Sequence, residues 1–284
     1  MVPDMKTVTL CADDFALNEP VSRGIIELAE ASRLSAVSCM SASPHWCEHA
    51  SWLAPLRGKI DIGLHLTLTG LAPLGPMPQL APDGTLPALG KILTDGVMHR
   101  LPRHEIATEL RRQMETFIAQ TGQAPDFIDG HQHVHLLPGV RETVFELWEE
   151  YLKPGQGYLR SCHEPVGAIL RRGVEPVKAL IISTLSLQLT RQARRKGVLV
   201  NDSFRGVHDF SGRVAPEQLF PRFLHGKGSW PLIMCHPGHA GAGGDDDELR
   251  DWRPREFAYF SSEQFLADLQ NADVRLGRAP RHMV

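Results

Sequence analysis

The sequence has no apolar stretch approaching the ~18 residues that a membrane-crossing helix needs. Its most apolar segment, residues 180–189, is broken by Ser183, Thr184, Ser186 and Gln188 and reads as a packed helix. Positive charge is not in excess. Thirty Lys and Arg stand against 33 Asp and Glu, a formal net charge of −3, which excludes the basic field of a nucleic-acid binder. The densest basic run, Arg191, Arg194, Arg195 and Lys196, reads as a cationic helix end, where it suits the helix dipole. Cysteine is scarce, odd in number and never spaced Cys-x-x-Cys: Cys11, Cys39, Cys47, Cys162 and Cys235. Neither a disulfide framework nor a cysteine zinc site is expected. Residues 1–6 hold no apolar signal core, and Asp13 and Asp14 come too early for one. The expected location is the cytoplasm.

What is present is an ordinary globular composition, 284 residues with 42% hydrophobic and 22% charged. A chain of this length buries a large core without disulfides. Short β-type runs alternate with helical ones. Strands are expected at 7–12, 36–40, 59–66, 126–130, 158–161, 198–201 and 230–235. Helices are expected at 20–32, capped by Asn18, through Trp46 and Trp52, at 103–121 with Gly122 as its stop, at 140–151, over much of 165–196, at 216–225 and at 262–272. Residues 67–101 break the rhythm with Pro73, Pro76, Pro78, Pro82 and Pro87 and read as a lid-like insert. Residues 237–254 read as a loop and 275–284 as a loose tail. Alternating strands and helices imply an α/β fold with a parallel sheet. With no linker and no internal repeat, residues 1–284 form one domain, most simply a (β/α) barrel.

The ionisable residues fall at strand ends. Asp13 and Asp14 end the first strand and His65 the third. Asp129, His131, His133 and His135 follow the strand at Phe127, and His236 and His239 the strand at Ile233. Strand C-termini of a parallel α/β fold share one side, where active sites are built. Each group also has a plainer use: the aspartates as a helix cap or Asx turn, His65 as a core histidine. Four separate segments converging on one rim favour chemistry. One carboxylate and two imidazoles make a mixed oxygen–nitrogen site suited to Zn²⁺, Mn²⁺, Co²⁺ or Ni²⁺, with Mg²⁺ less expected. If extended, His131, His133 and His135 share one face, and on residue type alone His133 serves as well as His131.

The motifs Leu10-Cys11-Ala12-Asp13-Asp14-Phe15-Ala16-Leu17-Asn18, Gly63-Leu64-His65-Leu66-Thr67-Leu68-Thr69, Ile128-Asp129-Gly130-His131-Gln132-His133-Val134-His135 and Met234-Cys235-His236-Pro237-Gly238-His239 resemble the YdjC-like carbohydrate deacetylases. That family includes chitooligosaccharide and hopanoid-biosynthesis deacetylases. The resemblance implies an irregular (β/α) barrel of the glycoside hydrolase/deacetylase type. It implies removal of an N-acetyl group from an amino sugar, oligosaccharide or glycolipid, with one divalent metal ion, magnesium or zinc. It maps the metal ligands onto Asp14, His65 and His131, the base onto Asp13 and the late histidine onto His236. The family's closing Arg-x-x-Glu pattern maps onto Arg253-Pro254-Arg255-Glu256. A departure is Ala16-Leu17-Asn18, where relatives usually carry Gly-Leu-Ser.

In the expected reaction Asp13 takes a proton from water and His236 protonates the leaving amine. Asp129 is placed to orient His131, and Arg253 and Trp252 to bind substrate. The expected partner is a small N-acetylated sugar, with no nucleic acid and no membrane span, and a homodimer through exposed helices is compatible. The alternatives are another metal-dependent amidohydrolase or phosphoesterase, and a non-catalytic sugar-binding protein.

Overall fold

A computed structural model describes residues 5–152, 157–241 and 247–280. Among the described residues nine strands form one sheet: β1 (Lys6–Phe15), β2 (Ala36–Cys39), β3 (Asp61–Leu66), β4 (Phe127–Gly130), β5 (Tyr158–Leu159), β6 (Leu199–Val200), β7 (Ser203–Arg205), β8 (Pro231–Cys235) and β9 (Val274–Leu276). Their order is β6-β5-β4-β3-β2-β1-β8-β7, with β9 added beside the start of β1. Every pairing is parallel. The central strands are buried on both faces and accordingly read as near-continuous apolar runs.

The two ends of this path are bridged. The Asn201 side chain accepts the Ser161 N–H at 2.8 Å and donates to the carbonyls of Ser161 and Ser203. The Phe204 N–H donates to the His163 carbonyl at 3.1 Å. One amide side chain and one main-chain bond thus close the curl into an irregular (β/α) barrel.

The helices are α1 (Glu19–Glu30), α2 (Trp46–His49), α3 (Leu89–Val97), α4 (Arg103–Thr121), α5 (Val140–Tyr151), α6 (Val166–Arg172), α7 (Pro176–Arg195), α8 (Pro216–Leu224), α9 (Arg253–Ser261) and α10 (Glu263–Asn271). As expected, the Asn18 side chain accepts the Val21 N–H to start α1. Gly122 ends α4 in the left-handed conformation, φ 76°. The helical character expected over much of 165–196 is present, as two helices, α6 and α7. Gly173 and Glu175 both have positive φ, and Pro176 disfavours a helical conformation for the residue before it. Strands β7 and β9 and helix α9 have no counterpart in the sequence pattern; the two strands are three residues each. Among the described residues no helix is long and apolar enough to cross a membrane.

The tail expected to be loose and the lid-like insert are both held down. The tail pairs as β9 with β1, and Arg278 forms an ion pair with Asp61 at 2.7 Å. Residues 281–284 lie outside the described residues. The 67–101 insert contributes Met77, Leu80, Ala81, Leu86 and Ile92 to the core and contains α3. It is pinned by side chains spaced four apart on α4. Glu105 accepts the N–H groups of Gln79 and Leu80, and Glu109 that of Leu74. Gln113 accepts the Thr67 N–H and donates to its carbonyl. Helical spacing puts the three on one buried face, so they meet backbone donors that a proline-rich segment cannot pair internally.

This arrangement predicts that Glu109→Ala strands the Leu74 N–H and lowers stability by about 1–3 kcal/mol. Amide exchange should quicken across residues 67–81 before it does so in the barrel strands. Uniform quickening, or none, would show that the ladder does not hold the insert.

Candidate active site

The aspartates of β1 reach the barrel mouth through a backbone irregularity. Register with β2 runs Cys11 to Ala36 and Ala12 to Val37, then slips so that Phe15 faces Cys39. One extra residue is thereby accommodated in β1, a bulge at the end of a strand. Asp14 sits there at φ 69°, a region non-glycine residues seldom occupy. Strict alternation would send adjacent side chains to opposite faces; here both carboxylates enter the same polar shell. Asp14 faces His65 and His131, and Asp13 faces β5.

His65, near the end of β3, places Nε2 3.4 Å from Asp14 Oδ1. His131, just past β4, places Nδ1 2.9 Å from the same oxygen. One ligand atom from each of the three residues lies within 4.8 Å of the others. Ligands ~2.1 Å from a single ion stand about 3.0–3.4 Å apart, so the donor set fits one divalent cation. A second group, Cys11, Asp13 and Asp129, has comparable spacing. Arg160 fills it. Its Nη2 lies 2.6 Å from Asp13 Oδ1, 2.6 Å from Asp129 Oδ2 and 2.9 Å from Cys11 Sγ. A guanidinium there leaves no place for a metal cation.

Arg160, immediately after β5, also donates to Asp13 Oδ2 at 2.7 Å. It is fully buried. In the sequence it falls inside a short expected strand, and its signal there is a lone charge after apolar residues. Asp129 does not orient His131 as expected. Register pairs it with His65 instead, and it accepts from His65 Nδ1 at 2.7 Å and from Ser38 Oγ at 2.5 Å. Burial opposes ionisation of Asp129, yet Arg160 and His65 hold its pKa below the usual carboxylate range. Burial likewise opposes charge on Asp14, and His131 and Arg253 hold it well below.

The histidine run is not extended. Gln132 and His133 have φ of 51° and 63°, so the chain kinks through the 3-10 segment His131–Leu136 and the three rings diverge. His131 stays at the mouth. His133 lies 3.7 Å from Cys162 Sγ, and His135 Nε2 lies 3.1 Å from the Arg160 carbonyl. His236, after β8, places Nε2 4.0 Å from Asp13 Oδ2. The following turn is fixed by α1. The His239 N–H donates to the Pro20 carbonyl, and a Cβ at Gly24 would come within 3.0 Å of Gly238 Cα. A side chain at Gly24 would force this backbone to give way by a few tenths of an ångström. His239 itself turns outward to Glu27.

The two residues expected to bind substrate are internal braces. Arg253 is buried, with Nη2 on Asp14 Oδ2 at 2.9 Å and Nε on Asp247 at 2.7 Å. Trp252 is only 2% exposed, covered by His208 and Phe210, and its indole N–H donates to Glu256. No ring face is free for a sugar, because α9 turns the side chain inward. Glu256 also accepts the His236 N–H at 2.5 Å. Within the 237–254 loop, residues 242–246, including Gly243, Gly244 and Asp245, lie outside the described residues.

Solvent reaches this cluster mainly at His131 and His236, 22% and 12% exposed. Burial disfavours charge on His65, but Asp129 and Asp14 beside it raise its pKa to about 10. Without metal it therefore carries a proton on each nitrogen at neutral pH. A cation must displace the Nε2 proton. Metal affinity is expected to rise about tenfold per pH unit between pH 6 and 9, with net proton release. Calorimetry in buffers of different ionisation enthalpy reads that proton; a flat pH dependence would remove His65 from the ligand set.

Residues 7–271 match the model of the YdjC-like protein family. The chain is 34% identical over 269 residues to a carbohydrate deacetylase of Geobacillus stearothermophilus, covering 93% of each. It is 33% identical over 144 residues to a chitooligosaccharide deacetylase of Proteus mirabilis, covering 50% of this chain and spanning about half, 55%, of that relative. Among solved structures it resembles a candidate cellobiose-phosphate cleavage protein of Enterococcus faecalis V583. The TM-score there is 0.71 at 20% identity, with 96% and 97% of the two chains covered. That last likeness is one of fold.

Proposed function

Because the chain belongs to the YdjC-like family, we propose that it is a divalent-metal-dependent hydrolase that removes an N-acetyl group from an amino sugar. The observation that carries this reading is the cluster of Asp14, His65 and His131 set directly beside Asp13 and His236. The names of the Geobacillus and Proteus relatives support a carbohydrate amide as the class of substrate.

Asp14, His65 and His131 would hold the cation, magnesium or zinc. When bound, it would supply Lewis-acid polarisation of the amide carbonyl and acidify the attacking water. The chain's own residues do the rest. Asp13 takes the proton from water as the new carbon–oxygen bond forms. Arg160 holds both oxygens of that carboxylate, which fixes its direction and stabilises its charge. His236 gives a proton to the departing nitrogen as the carbon–nitrogen bond breaks, so acetate and a free amine leave. Burial keeps the His236 pKa below its usual value despite Asp14 and Asp13 nearby. Phe210, half-buried and edge-on to His236 at 5.2 Å, takes the place at the mouth once expected of Trp252.

The reaction is tested by acetate release from N-acetylated oligosaccharides after metal reconstitution. Asp13→Asn should retain metal and lose about 10²–10⁴ in turnover, whereas His65→Ala and His131→Ala should lose metal. Near-normal turnover of metal-loaded Asp13→Asn would remove Asp13 as the base. Activity only on phosphate esters or non-sugar amides would overturn the substrate class.

A further inference from the structure

Away from the mouth, α6 and α7 present an unusual surface. Val166 and Leu170 on α6 are 56% and 58% exposed, and Val177 and Ile181 on α7 are 70% and 58%. Each pair is spaced i, i+4, so each lies on one helix face. On α7 the exposed stripe continues through Thr184, Gln188, Arg191 and Arg195, passing from aliphatic to uncharged polar to cationic along one line.

Charge is concentrated here as well. Residues 165–197 hold seven of the chain's 30 Lys and Arg but one of its 33 Asp and Glu, a local +6 on a chain of net −3. Three of these cations have work elsewhere. Arg172 pairs with Glu164, Lys196 with Glu149, and Lys178 donates to the His208 carbonyl above the Phe210 ring. Arg171, Arg191, Arg194 and Arg195 are exposed and form no ion pair among the described residues. We propose that the outer face of α6 and α7 docks on an anionic lipid surface, the aliphatic side chains entering the interface and the arginines meeting headgroup phosphates.

The combination selects this occupant. A two-fold contact pairs the patch with its own copy, and a patch with one acidic residue in 165–197 offers the arginines almost no carboxylate to meet. Nucleic acid would use the arginines but leave the aliphatic side chains in water. A bilayer with anionic headgroups takes both: apolar residues at the acyl boundary and cations at the phosphates. Docking so would also set the active-site mouth near the surface, since Lys178 in the first turn of α7 touches Phe210, which touches His236.

The test is co-sedimentation of the full chain with phosphatidylcholine vesicles with and without phosphatidylglycerol. Binding is expected only to the anionic vesicles and should weaken as salt rises. Val177→Asp with Ile181→Asp should reduce it about tenfold or more. Arg191→Glu with Arg195→Glu should reduce both binding and its salt dependence. All four sites are exposed, so thermal stability and acetate release from a soluble substrate should stay unchanged. Equal binding to neutral vesicles, no binding to either, or binding indifferent to both double variants would overturn the proposal. So would a dimer in solution that Val177→Asp dissociates, which would assign the face to a second copy.

Discussion

Three carboxyl groups, Asp13, Asp14 and Asp129, lie buried in one shell at the mouth of the barrel, and the rest of the site follows from the need to balance them. Charges taken out of water must find partners close by or the fold does not form. The partners come from different strands. Arg160 spans Asp13 and Asp129, Arg253 and His131 meet Asp14, and His65 bridges Asp14 and Asp129. Asp14 and Asp129 thereby each touch at least two donor residues and Asp13 two nitrogens of Arg160, and each bridging donor ties two segments distant in sequence. The polar shell cross-links β1, β3, β4, β5 and α9 at the end of the barrel where strand hydrogen bonds run out.

A shell of this kind requires more than the right residues. Asp13 and Asp14 are adjacent, and only the bulge and the left-handed backbone at Asp14 let both point inward. Strain at such a position persists only where the surroundings over-determine it. Those surroundings are visible: Met40 donates to the Phe15 carbonyl, Leu17 to that of Asp14, and Ser22 accepts the Ala16 N–H. Behind the late histidine, Glu256 and the Gly24–Gly238 contact hold the chain from the other side. The closing Arg253 and Glu256 act as a pair of braces, one on Asp14 and one on His236.

The alternating barrel was legible because its strands are apolar runs separated by periodic helices with clear stops, as at Asn18 and Gly122. The convergence of Asp14, His65, His131, Asp13 and His236 on one rim was legible because each ends a strand. Other features were hidden for physical reasons. Strands β7 and β9 are too short to show a period, and α9 begins in a segment dense with charge. The kink after His131 depends on two non-glycine residues with positive φ, which no residue type announces. The inward turn of Trp252 and Arg253 depends on how α9 packs, and a sequence cannot say which face of so short a helix is buried. Arg160 was overlooked because its partners are 31 and 147 residues away.

The division between buried and open parts bears on how such a site acquires specificity. Every ionisable side chain of the shell except His131 and His236 is almost fully enclosed and braced by a neighbour's hydrogen bond. Substitution within it would disturb charge balance and folding together. Phe210, in contrast, lies beside His236 and rests on Trp252, His208 and Lys178. None of those partners is one of the three buried carboxylates. The buried shell and the ring beside it are therefore held separately, the first by the strands and the second by what the strands support.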